Sequence, residues 1–194
     1  MNNVDKDIQN LKSIRFRNPG YKRKRILKPA QEIALRQFLF SSINENVFVI
    51  STGLGMDVYY ISDKDYSDFI EKNLYLFHPE EVNKEILIEE RHAGVEVLQY
   101  FQVVVHTLTS HPQLLYSCIK KILSQFNELG VRSKLDRLLF QCLDDYIEKL
   151  AQEESLPFNR KINRLRQEID NNLPLADATT STLIQTYLNA NHLN

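Results

Sequence analysis

The sequence predicts a mainly α-helical protein. A bundle of three to five helices spans residues 79–194, a small lobe with one β-hairpin spans 29–78, and a basic N-terminal arm spans 1–28. Three observations lead there. From Pro79 onward apolar residues recur at helical spacing. Before it, two short β-branched and aromatic runs flank the glycine turn "TGLG". Charge is also divided unevenly: residues 1–30 carry nine Lys or Arg against two Asp, a net +7, while residues 31–159 carry 11 basic and 20 acidic side chains, a net −9.

Element by element, Val4, Ile8, Leu11 and Ile14 line one side of a short helix over 4–14, and "NPG" at 18–20 stops it. Pro29 suits the first helical position, so the next helix begins there and runs to about Asn44. "NVFVIS" and "MDVYYIS" make the hairpin, 47–51 with 56–61. Ser62 with Asp65 resembles a capping box for a helix ending near Leu76. A long helix then starts at Pro79, with Leu87, Gly94, Leu98, Phe101, Val105 and Leu108 as its stripe. Pro112 opens a helix that closes at Gly130. Ser133 and Asp136 cap another over 134–153, and shorter helices follow over 159–171 and 177–190.

Composition bounds the class. The chain has 194 residues, 43% hydrophobic and 25% charged, as in ordinary globular proteins. Its two cysteines, Cys118 and Cys142, sit in apolar helical patterns as small hydrophobes about equally far from Gly130. Such usage, with the absence of an apolar core in "MNNVDKDIQN", indicates a cytoplasmic protein. Its apolar runs are too short for a membrane helix, which needs ~20 residues.

Motifs carry little chemistry. Glu85, Glu89, His92 and Glu96 stand at spacings of four, three and four, which shares one face of a helix. Glu89-x-x-His92 matches half of a di-iron carboxylate motif, and this face is the basis of an alternative reading as a metal-dependent helical-bundle enzyme. Such sites use the element twice and the chain contains it once, so no metal or other cofactor is expected and the face reads as solvated. His106 and His111, five apart, make a poor chelate. The Gly-x-Gly of "STGLGMD" leads into a strand pattern, not into the helix a phosphate loop needs.

The stretch "SIRFRNPGYKRKRILKP" remains. Arg15, Arg17, Lys22, Arg23, Lys24, Arg25 and Lys28 can pair with phosphates or with an acidic protein surface, and Phe16 and Tyr21 can stack on unpaired bases. A helix at 29–44 before a hairpin also mimics the order of a winged helix, although Arg36 and Gln37 are almost all it offers a groove. The expected role is therefore non-enzymatic: a regulatory or adaptor protein that binds a macromolecular partner, an acidic protein surface or nucleic acid, through this arm.

Overall fold

The computed structural model describes residues 3–19, 25–43, 47–77, 87–129 and 133–170. In chain order they form α1 (Asn3–Gln9), β1 (Leu11–Arg17), α2 (Pro29–Ser42), β2 (Val47–Thr52), β3 (Gly55–Ile61), α3 (Ser67–Phe77), β4 (Ile88–Ala93), α4 (Val95–Thr107), α5 (Pro112–Leu129), α6 (Lys134–Gln152) and α7 (Asn159–Asp170). The four strands build one antiparallel sheet in the order β2-β3-β1-β4. The architecture is therefore mixed α/β, which corrects the mainly helical bundle expected from the sequence. Two compact units divide the chain, Met1–Val97 and Leu98–Asn194. The expected boundaries at 28/29 and 78/79 both fall within the first.

Two segments account for the correction. The short helix expected over 4–14 stops at Gln9, and Leu11–Arg17 is a strand paired on both edges. Its two buried faces are of different chemistry, Ile14 and Phe16 on one and Ser13 and Arg15 on the other, so its charged side chains read as solvated and not as part of a sheet interior. The long helix expected from Pro79 is likewise broken. Ile88–Ala93 pairs with β1, Gly94 turns at φ +62°, and helix resumes at Val95. Gly94 N–H donates to Leu11 O at 2.7 Å, which ties this turn to the start of β1. The stretch 78–86 lies outside the described residues.

The connectivity βαββαβ follows from the pairing. β1 and β2 run parallel with β3 between them, and β3 and β4 run parallel with β1 between them, so each β-α-β unit straddles a strand of the other. This is the split βαβ, or ferredoxin-like, arrangement. One sheet face, with Ile14, Phe16, Val47, Val49, Met56, Val58 and Tyr60, packs with Leu35 and Leu39 of α2 and Ile70 and Leu74 of α3. Phe38 bridges the two helices by stacking near Phe69, centroids 5.9 Å apart, and Phe77, 5.6 Å. The hairpin expected at 47–51 and 56–61 is present as β2 and β3, one residue longer at the turn on each strand. α3 starts later than expected. Ser62 Oγ accepts from Lys64 N–H in a turn, and Asp65 Oδ1 accepts the Ser67 N–H at 2.8 Å at the helix start.

In the second unit the helices over 112–129, 134–152 and 159–170 follow the sequence reading closely. Ser133 and Asp136 form the expected capping box, with Asp136 N–H donating to Ser133 Oγ at 3.0 Å and Ser133 N–H to Asp136 Oδ2 at 3.1 Å. Leu98, Phe101, Val105, Leu115, Ile119, Leu139, Cys142 and Ile147 are among its buried residues. The helix expected over 177–190 lies outside the described residues.

Gly55 and Gly94 both adopt backbone that other residues rarely enter, φ +152° and +62°. A Cβ at Gly55 would sit 2.6 Å from the Phe16 carbonyl oxygen, whereas at Gly94 the nearest atom, Ile8 O, is 3.9 Å away. Gly94→Ala is therefore expected to cost only the left-handed backbone, about 1–2 kcal/mol. Gly55→Ala adds a backbone collision between β3 and β1 and should cost measurably more in denaturant unfolding. Equal losses would mean that the β1–β3 contact is looser than described.

Candidate binding surface around strand β1

The basic stretch splits into interior and surface parts. Phe16 is 1% exposed and packs in the sheet–helix core, so it cannot stack on a base. Arg15 is 6% exposed on the opposite face. Its Nη1 donates to Asp57 Oδ1 at 3.2 Å and its Nη2 to Leu54 O at 3.3 Å. Arg15 faces Asp57 on β3 and Glu90 on β4 in register, and its guanidinium lies where a side chain at residue 55 would project. Both residues, expected in the partner-binding set, thus serve the fold.

Arg17, at the exposed end of β1, donates from Nε to Glu90 Oε1 at 3.0 Å. An exposed pair of this kind adds little to stability. Arg25 and Lys28 are exposed, while Ile26 and Leu27 between them are 2% and 1% exposed and anchor the segment in the core. Tyr21, Lys22, Arg23 and Lys24 lie outside the described residues. In chain order they fall between two fixed points, the end of β1 and buried Ile26. Of the basic residues after β1, the described pair Arg25 and Lys28 thus flanks two buried anchors at the start of α2.

The carboxylate–histidine face does not form. Glu89 and His92 lie on strand β4, where an odd separation puts them on opposite faces, and Glu96 begins the next helix. Glu89 pairs with Arg91, which also reaches Asp68 at 2.8 Å and Glu71 at 3.4 Å on α3. His92 stands opposite Ser13. Glu85 lies outside the described residues. Among the described residues no three His, Cys, Asp or Glu side chains are grouped so as to hold a metal ion, and no helix is long and apolar enough to cross a membrane.

The other candidates have structural surroundings. His106 Nδ1 lies 2.6 Å from Tyr146 OH, joining α4 to α6, and burial pushes the Tyr146 phenol up to about 12. His111 is exposed, with Nδ1 2.8 Å from Ser110 Oγ. Cys118 and Cys142 are both buried and not joined in a disulfide. Burial pushes the Cys142 thiol up to about 12, which keeps it protonated and unreactive.

The group that sequence reasoning missed is Asp57. A lone carboxylate inside "GMDVYYI" was the available signal, because a charge within an apolar strand calls for a buried partner. Burial pushes its carboxyl up to about 6; Arg15 opposes the shift and Glu90 adds to it.

The comparisons leave the fold as the only classification. No family model, no curated protein and no solved structure matches this chain. The topology defines a split βαβ unit followed by a helical unit, and that arrangement hosts many unrelated functions.

Arg15→Met is expected to lower stability by about 3–5 kcal/mol, because it strands a buried carboxylate, and adding Asp57→Leu should restore most of the loss. Urea unfolding of the two variants checks this, and a harmless single substitution would contradict it. The pH dependence has a definite sign. The folded value of Asp57, about 6, exceeds the ~3.9 of an unfolded aspartate. The folded state therefore binds the extra proton, and this stabilisation fades as pH rises from about 4 to 6. Stability relative to Asp57→Asn should shift in favour of the variant across that window, by an amount on the order of 1–3 kcal/mol. A constant difference between pH 4 and 7 would contradict it.

Proposed function

We propose that this protein is a non-enzymatic binding module that docks an acidic surface of a partner protein with the basic segment between β1 and α2, in a regulatory or adaptor role in the cytoplasm. The observation that carries the reading is the division of the basic stretch. Arg15 and Phe16 are taken up by the sheet, whereas Arg25 and Lys28 remain exposed around buried anchors. With Lys22, Arg23 and Lys24 they place five cations within seven residues. A dense local charge steers association with an acidic surface.

A protein partner fits better than nucleic acid. Burial of Phe16 removes one of the two rings that single-strand binding would use. The helix that follows the basic segment exposes Ile33 and Phe40, which suit a protein surface better than a phosphate backbone.

The test replaces Lys22, Arg23, Lys24 and Arg25 with Gln in the full chain. Thermal unfolding should change by less than about 1 kcal/mol if these charges serve a partner and not the fold. Capture from cell extract should lose a salt-sensitive protein partner, and nuclease treatment beforehand should make no difference. A partner removed by nuclease would make the ligand nucleic acid. Unaltered capture by the variant would overturn the reading.

A further inference from the structure

Helix α2 is apolar on two sides. Leu35 and Leu39 face the core at 0% exposure, with Phe38 and Ile43 partly buried against it. Yet Ile33 and Phe40 are 48% and 52% exposed. They stand seven residues apart, two turns, on a stripe with Ala30, Gln37 and Ser41, all turned outward or nearly so and none charged. The outer face of a surface helix ordinarily carries charged and polar residues, and a helix apolar all round is one covered all round. The helix's only carboxylate, Glu32, is turned inward at 9% exposure.

Charge identifies what covers it. The stripe begins just after the exposed cations Arg25 and Lys28, with Arg36 half-buried at its side. The N-terminal end of α2, at Pro29, adds the positive pole of the helix dipole to the same end. A cover for this face therefore needs apolar side chains over Ile33 and Phe40, about 10 Å apart along the axis. It also needs carboxylates at the Lys28 end. From this juxtaposition we infer that α2 and the exposed cations Arg25 and Lys28 before it form one continuous docking surface for an acidic amphipathic helix of a partner protein. The mode is that of a helix laid along an apolar face, with anchors at helical spacing and charge at one end fixing its direction.

This inference rests on the reading of the basic segment as the docking element, and the test separates the two. The probe is an 18-residue helical peptide with Leu and Phe along one face and Glu along its flanks, labelled for fluorescence anisotropy and titrated with the full chain. A polyglutamate peptide of equal length is the charge-only control. The amphipathic peptide is expected to bind saturably and at least tenfold more tightly than polyglutamate. Ile33→Ser with Phe40→Ser should abolish that tenfold advantage and leave polyglutamate binding unchanged; these side chains are half exposed, and circular dichroism confirms that the variant is folded. The four-Gln variant should weaken both peptides. If the serine variant binds the amphipathic peptide as the wild type does, the α2 surface is wrong while the basic-segment reading stands. If the four-Gln variant binds both peptides unchanged, both fail. A concentration-dependent dimer in sedimentation, lost in the serine variant, would show that a second copy covers the face and would overturn the inference.

Discussion

The first unit depends on the double pairing of β1. A strand hydrogen-bonded on both edges in the middle of a sheet has no free edge, and here it has no free face: Leu11, Ser13, Ile14, Arg15 and Phe16 are all buried. Burying Phe16 is favourable, on the order of 1.5–3 kcal/mol for a side chain of this kind. Burying a guanidinium is costly unless it is paired and hydrogen-bonded. Asp57 across the strand pair, the Leu54 carbonyl and the space left by Gly55 meet that demand together, because register places all three beside Arg15. A slip of one residue would carry Arg15 to the side of Leu35 and Leu39, away from Asp57 and the Leu54 carbonyl. The ion pair need not add net stability to fix register, since an unpaired alternative is so much worse.

The same constraint shapes what the surface can do. By drawing Leu11–Arg17 into the sheet, the fold takes Arg15 and Phe16 out of what reads as a free basic arm, and Ile26 and Leu27 fix its other end in the core. Arg25 and Lys28 also lie at the head of α2, beside an outer face that carries no charge. Two features that are separate in the sequence thus become neighbours through one helix start at Pro29.

Legibility in the sequence followed local periodicity. Helices α5, α6 and α7 and the β2–β3 hairpin show in the pattern because each repeats an apolar period or brackets a glycine turn within its own residues. β1 and β4 do not. β1 alternates apolar side chains with Ser13 and Arg15, a pattern that makes sense only once Asp57 is known to lie opposite. β4, "IEERHA", is an edge strand whose charges protect the edge and also imitate a solvated helix face. The carboxylate–histidine spacing was thus an artefact of assuming helix. For the candidate site, the positive charge was legible from composition alone. Its division into buried and exposed halves was not, because that depends on pairings 40 and more residues apart in sequence.

The central claim, that "LKSIRFR" is an inner strand of the sheet and not part of a mobile arm, is tested most directly by native-state amide hydrogen exchange along residues 11–17. The account predicts that the β1 amides exchange only with unfolding of the first unit, as slowly as those of β3, because each edge is hydrogen-bonded to a neighbour. Exchange within seconds, at the rate of exposed backbone, would contradict it and return the whole stretch to the surface.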